Sequence, residues 1–217
     1  MTWLAANWPQ VVQLAWVHLA VCVPAIAISV LIAVPIGRLA HRVGWVGKPL
    51  LGLAALMYAI PSLPLLVVIP VVFGFPLISP ATMVVALTVY GVALLVRTAA
   101  DAFGAVDTGV HDAALAVGHS RRGVFWRVDL PLATPVLVSG LRVVTVSTVG
   151  LVTIGAVIGQ SSLGSLLTDG FQRGIVAEVV TGVVATIVLA IVLDMAVLAL
   201  GRLLTPWTSR RIRGAAS

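Results

Sequence analysis

Apolar runs long enough to cross a bilayer recur five times along the chain, at about 14–37, 50–74, 80–96, 132–158 and 178–201. A spanning helix takes about 20 such residues, because the hydrocarbon core is about 30 Å thick and each helical residue rises about 1.5 Å. Only 9% of the 217 residues are charged, against roughly 25% in a soluble domain, which is too little polar surface to clothe a water-soluble fold. The expected class is all-α, a single polytopic membrane domain over residues 1–217 with about five transmembrane helices. Disorder, nucleic-acid binding and a secreted disulfide scaffold fit poorly. Cys22 is the sole cysteine, so an intrachain disulfide, a cysteine zinc site and a CxxC redox pair are excluded. It reads as a small packing residue.

A net charge of +6 would point to nucleic acid in a soluble chain; here the placement of the cations matters more than their sum. Arg38, Arg42 and Lys48 follow the first span, Arg97, Arg121, Arg122 and Arg127 the third, and Arg202, Arg210, Arg211 and Arg213 the fifth. These eleven of thirteen share one side in a five-span model, Arg173 lies opposite and Arg142 within a span. The positive-inside rule then puts the N-terminus outside and the C-terminus in the cytoplasm. The first cation is Arg38, so no basic leader precedes the first apolar run and that span is expected to be retained. Trp3, Trp8, Trp45, Trp126 and Trp207 lie near span ends, where indoles favour the headgroup layer, and Trp16 reads the same way.

The second span is interrupted by IPSLP, with Pro61 and Pro64, and then Pro70. Each proline removes an amide donor, and carbonyls freed in hydrocarbon must be buried in protein or face a wet cavity. Pathway lining by Tyr58, Pro61, Ser62 and nearby backbone, with Tyr90 on the next span, stands beside a merely kinked packing helix; the residues allow both. Arg142 either snorkels towards the cytoplasmic surface or pairs with Asp194, the other ionisable group well inside a span. Between the fourth and fifth spans, Leu163, Leu166, Leu167, Phe171 and Ile175 recur at roughly helical spacing, as in a short amphipathic or re-entrant segment on the outer face or an ordinary outer loop with an interfacial helix.

The longest polar interval, about 97–130, holds four of the seven acids. Within it Asp112 reads as the acid at the start of a short helix carrying Ala113, Ala114, Leu115, Ala116 and Val117, and Gly118 as its end. A helix of small residues followed by Arg121, Arg122 and Arg127 suits a partner's cleft, and suits the surface of an anionic bilayer as well.

Asp112, Ala113, Ala114, three residues, Gly118, nine residues, then Val128, Leu130 and Pro131 resemble the pattern of ABC importer permeases: EAA, three residues, G, nine residues, I, one residue, LP. Asp112 stands where Glu is usual and Val128 where Ile is usual. The resemblance implies a type I importer-like permease whose cytoplasmic loop forms a coupling helix, with Asp112, Ala113, Ala114, Gly118, His119, Ser120 and Arg121 meeting an ATPase. Over roughly 30–175 the chain is similar to the osmoprotectant branch, the permeases for glycine betaine, carnitine, choline and proline betaine. AVPIG (33–37), IPSLPLLVVIP (60–70), Arg97, LPLATPVLVSGLR (130–142) and IGQSSLG (158–164) carry that likeness. The last segment usually reads IGAGGLG, so Gln160, Ser161 and Ser162 replace a small trio.

A P-loop needs GxxxxGK followed by Ser or Thr, and the one lysine, Lys48, sits in VGKP. The chain is therefore expected to be no enzyme itself and to hold no cofactor or metal. The resemblance implies ATP and Mg on two copies of a separate cytoplasmic ATPase, beneath two permease subunits. Five helices give half a pathway, so a second permease subunit, an identical copy or a paralogue, is expected in the bacterial inner membrane. An extracellular substrate-binding protein is expected to supply most of the specificity. A quaternary ammonium is held best by aromatic faces; with 6% aromatic residues here, that cage belongs on the binding protein, while Tyr58 and Tyr90 either offer brief cation contacts or simply pack. Methionine or another amino-acid-like solute is the alternative cargo. Rival classes are an ion-coupled secondary transporter or channel using Arg142 and Asp194, and a passive membrane anchor.

Overall fold

A computed structural model describes residues 2–207 other than 75 and 77; Arg210, Arg211 and Arg213 lie outside the described residues. The described residues form helices joined by short turns, with no strand among them.

Helix α1 runs from Thr2 to Arg42, through Pro9, Pro24 and Pro35. It starts well before the apolar run expected from about residue 14, because Trp3, Leu4, Val11 and Leu14 continue a packed face towards the N-terminus. Helices α2 (Gly44–Ala59) and α3 (Ser62–Phe73) meet at a bend of 110°. Ile60 precedes Pro61 and is held extended (φ −69°, ψ 127°), as the residue before a proline must be. Pro61 then caps α3 and Pro64 falls in its first turn, where no amide donor is needed. The expected second span is thus a broken helix, neither continuous nor merely kinked. Helix α4 (Pro80–Gly104) starts on Ser79, whose Oγ accepts the Thr82 amide at 3.1 Å. After the 97–130 interval come α7 (Leu130–Gly155), the short α8 (Gly164–Arg173) and α9 (Val176–Leu204). The two helices of the interval, α5 (Thr108–Ala116) and α6 (Arg121–Val124), belong with the site below.

Contacts between distant residues fix the direction of every crossing. Helices α1 and α4 run parallel: Ser29 Oγ lies 3.2 Å from the Thr88 carbonyl, and Gly37 backs onto Ala99 and Ala100. At Gly91 a side chain would collide with Ser29, so the close approach requires glycine there. Helix α7 runs against both, with the His18 Nε2 3.2 Å from the Val149 carbonyl, Gly140 facing Thr98, and Gly155 facing Met83. Helix α9 runs against α7, since Gly201 faces Val138. The C-terminal ends of α1, α4 and α9 therefore gather at the same end as the start of α7. Because α1 ends there and α4 starts at the other end, the bent α2–α3 pair carries the chain across once. Four helices are long and apolar enough to span alone, and the bent pair makes the fifth span.

The buried core has two main parts. Nearer the N-terminal end of α1, Val21, Cys22 and Ala25 pack with Leu65, Leu66 and Ile69 of α3, Met83 and Leu87 of α4, Val149 and Val152 of α7, and Leu163 and Leu166. Nearer the other end, Ala99, Ala102 and Phe103 of α4 pack with Ala133 and Leu137 of α7. Cys22 is fully buried, as a packing residue should be.

The segment between α7 and α9 forms the amphipathic helix α8, with Leu166 inward and Phe171 outward. Ser162, which replaces a small residue of the related pattern, is buried; its Oγ donates to the Val152 carbonyl at 3.2 Å and accepts the Gly164 amide at 3.0 Å. A side chain on Gly164 would strike the Thr153 backbone, so this turn is drawn tightly onto α7.

Arg142 does pair with Asp194. The guanidinium clamps the carboxylate with two hydrogen bonds, Nε to Oδ1 at 2.7 Å and NH2 to Oδ2 at 2.6 Å, the strong fork geometry. Arg142 sits roughly 18 Å along α7 from its start and Asp194 roughly 15 Å from the end of α9, so both charges lie deep at matching levels. The pair joins α7 to α9 where an unpaired ion would be costly. Asp194→Ala is expected to lower the thermal unfolding midpoint in detergent, and the exchanged pair, Arg142→Asp with Asp194→Arg, to recover most of the loss; fluorescence-detected thermal unfolding measures both.

Candidate functional site

The 97–130 interval leaves the bundle at the end where α1, α4 and α9 finish and α7 starts. Helix α5 begins on Asp107, whose Oδ1 accepts the Gly109 amide at 2.7 Å. The expectation that Asp112 is the acid at the helix start is therefore corrected. Asp107 captures the first turn, and Asp112 lies within the helix with its side chain exposed.

The helix ends where Gly118 was expected to end it. Gly118 takes φ +96°, its amide donates to the Leu115 carbonyl at 3.0 Å and the His119 amide to the Ala114 carbonyl at 3.2 Å. This paired closure is the Schellman arrangement, which favours glycine at the left-handed position. Ser120 immediately caps α6, its Oγ accepting the Gly123 amide at 3.1 Å. One π-helical turn, Phe125–Asp129, then feeds into α7.

No residue of α5 is buried. Val110, Ala113, Ala114 and Val117, at the i, i+3, i+4, i+7 spacing of one helical face, are only partly shielded by this chain, Val110 and Ala114 the more so, and Val117 is 82% exposed. Nothing lies within 4 Å of where a side chain on Gly118 would begin. Asp112, Ala113, Gly118, His119, Ser120 and Arg121 are all exposed on this projection. The arrangement offers a short, low-relief knob with a basic turn behind it.

Residues not selected from sequence hold that knob in place. Asp129, buried in the π-helical turn, accepts from His111 Nδ1 of α5 at 2.8 Å and lies 3.9 Å from the Arg38 guanidinium at the end of α1. Arg38 also covers the Phe125 ring, 3.5 Å from its centroid, a cation–π contact. Phe125 in turn packs near Phe103 of α4 and edge-on to Trp126. From sequence Arg38 was only a marker of sidedness, and His111 and Asp129 only polar members of a loop. The available signal was a lone acid directly before an apolar span, opposite a cation directly after another.

The pathway candidates converge at the helix break. Tyr58, two residues before Ile60, meets Tyr90 of α4 with ring centroids 5.3 Å apart and planes at 49°. Ser62 joins Tyr90, Leu66, Leu87 and Leu151 around a small recess. Pro61 is exposed beside it. The described cations also segregate: Arg38, Arg42, Lys48, Arg97, Arg121, Arg122, Arg127 and Arg202 lie on helices and turns of the α5 end, Arg142 lies within α7, and Arg173 closes α8 at the other end. Among the described residues no group of three His, Cys, Asp or Glu is placed to hold a metal ion.

Five crossings, one broken at prolines, and a projecting small-residue helix anchored beneath them define the membrane subunit of a transporter. Residues 25–210 match the family of binding-protein-dependent transport system inner membrane components, and the chain belongs to it. It is similar to the osmoprotectant import permease protein OsmW of Salmonella typhimurium, 33% identical over 205 residues that cover 89% of this chain and 91% of that one. It is similar also to the choline transport system permease protein OpuBB of Bacillus subtilis, 26% identical over 212 residues covering 97% and 95%. The fold matches that of the inward-facing MetNI methionine ABC transporter, with a TM-score of 0.79, 23% identity and coverage of 90% of this chain and 96% of that one. The protein is thus a multi-pass permease subunit of a binding-protein-dependent ABC importer.

Asp129→Asn removes the charge that holds His111 and Arg38 together; a hydrogen bond to a charged group is worth about 1.5–3 kcal/mol. Amide hydrogen exchange across 108–124 is expected to speed roughly tenfold or more, while exchange in α9 stays unchanged.

Proposed function

We propose that this chain admits quaternary-ammonium osmoprotectants through the inner membrane, driven by ATP hydrolysis on a separate subunit. The observation that carries the reading is the uncovered face of α5, closed by Gly118 and held to α1 and α7 through Asp129. It is a rigid helix whose one unsatisfied surface points away from its own chain. In this reading the α5 end is cytoplasmic, as its collected arginines favour, so the N-terminus is outside and the C-terminus inside.

Helix α5 is the coupling helix, seated in a groove of a cytoplasmic ABC ATPase. Val110, Ala113, Ala114 and Val117 supply the apolar contact; Asp112, His119, Ser120 and Arg121 border it with polar groups. Motion of the ATPase reaches α1 through Arg38 and α7 through the π-helical turn, so closure of two ATPase copies around ATP and Mg turns the membrane helices. A second permease subunit, a copy of this chain or a paralogue, completes the pathway. An extracellular binding protein delivers the solute and fixes most of its identity. At the break between α2 and α3, Tyr58 and Tyr90 present ring faces beside Ser62, a weak and transient stop for a cation whose charge is spread over methyl groups. The similarity to osmoprotectant and choline permeases supports this cargo.

The test is reconstitution of the permease with its ATPase and binding protein in vesicles, with uptake of labelled glycine betaine, choline and methionine compared. ATP-dependent uptake of the quaternary ammonium compounds is expected; methionine uptake alone would replace the cargo, and uptake driven by an ion gradient without ATP would replace the mechanism. Gly118→Trp is expected to insert normally yet abolish uptake or release the ATPase, because an indole there stands where the groove must close. Gly118→Asn, which tolerates the left-handed backbone, is expected to retain most activity. Tyr58→Ala is expected to slow uptake several-fold with the binding protein's affinity for solute unchanged, read from uptake kinetics beside calorimetry on the binding protein.

A further inference from the structure

Between the end of α1, the end of α4 and the start of α5 lies a cavity of ≈ 200 Å³. Its polar lining is Arg38, His41, Arg42, Thr108, His111 and Asp129. Two guanidinium groups and two imidazoles thus face one carboxylate. That carboxylate is already engaged by His111 at 2.8 Å, and Arg38 stands 3.9 Å from it, beyond hydrogen-bond range. Arg42 and His41 make no side-chain hydrogen bond or ion pair among the described residues, and the charge of Arg42 acts unfavourably on Arg38. Two guanidinium groups around one carboxylate leave an excess of positive charge that a bound anion would offset. Thr108, the first residue of α5, reaches the same wall, where the helix start is already capped by Asp107.

The space is far larger than a single water, whose share of liquid is about 30 Å³, so a tetrahedral oxyanion has room. Exposed Trp45 and Trp126 stand at this end of the bundle, in the manner of residues at headgroup depth. We propose that this cavity binds a phosphate group, presented by an anionic lipid headgroup or by free phosphate, and that the bound group clamps α5 to α1. Arg42 and His41 from α1 and Arg38 supply the donors; Thr108 closes the site from α5. The coupling helix would then be stiffest when the site is filled, a consequence that rests on the reading of α5 given above, whereas binding itself does not.

The experiment uses the permease–ATPase complex in nanodiscs of phosphatidylcholine, with or without phosphatidylglycerol, and with or without inorganic phosphate against chloride at equal ionic strength. Hydrogen exchange over 104–124 reads occupancy without reference to transport. Slower exchange with phosphatidylglycerol alone identifies a lipid headgroup, and slower exchange with inorganic phosphate identifies the free anion; either supports the site provided that Arg42→Gln raises the required concentration at least tenfold and Arg42→Lys restores part of it. His41→Gln is expected to act in the same direction. No protection by either phosphate source, or protection indifferent to Arg42→Gln and His41→Gln, overturns the proposal. Should Gly118→Trp leave uptake intact while the phosphate-dependent protection persists, the coupling reading fails and the site stands.

Discussion

One buried carboxylate joins the part of the chain that leaves the membrane to the part that crosses it. Asp129 takes a hydrogen bond from His111 of the projecting helix, faces Arg38 at the end of the first crossing, and leads directly into α7. A buried charge left without partners is expensive, so these groups stay together or move together. Arg38 adds a second hold on the same turn by covering Phe125. Helix α5 is therefore tied to α1 and α7 rather than hung on a loose linker. The remaining loop geometry serves this: Asp107 and Ser120 fix the starts of two short helices, and Gly118 sets the angle between them.

Above that joint the bundle is held by close backbone approach and one deep ion pair. Gly37 and Gly91 let α1 lie against α4, and Gly140 lets α4 lie against α7, the small-residue packing on which helices rely where lipid offers no hydrophobic drive. Arg142 and Asp194 bring α9 to α7. Most of α9 is otherwise uncovered, with Val184, Ile187, Val188 and Ile191 facing outward, as befits a helix bordered by lipid or by another subunit. The break at Ile60–Pro61 interrupts regular helix inside the second apolar run, and the two tyrosines meet there.

What the sequence made legible followed from local rules. Apolar length announced five crossings, proline chemistry marked the interruption in the second, and Gly118 marked the end of α5. The spacing of Leu163, Leu166 and Phe171 foreshadowed α8. Local rules misplaced the start of α5, because Asp107 and Asp112 are both plausible first-turn acids and only the backbone distinguishes them. They also cut α1 short, since its first residues are helical through contacts with other helices. The Arg142–Asp194 pair was one of two open readings: partners 52 positions apart meet only if two helices share a level. The Arg38–Asp129–His111 joint drew no notice for the same reason, being made by three elements whose juxtaposition no spacing records. The matched pattern around Asp112 and Gly118 located the projecting helix without revealing what anchors it.

The account stands on contact between α5 and a nucleotide-driven motor on the cytoplasmic side. Cys22 is buried, so Ala113→Cys supplies an accessible thiol on α5, and a photoactivatable crosslinker attached to that thiol in sealed vesicles reads the contact directly. The account predicts a crosslink to the ATPase subunit alone, formed from the cytoplasmic side, that stops ATP-driven uptake. Labelling of the Ala113→Cys thiol by a membrane-impermeant reagent added outside, with uptake undiminished, would contradict it.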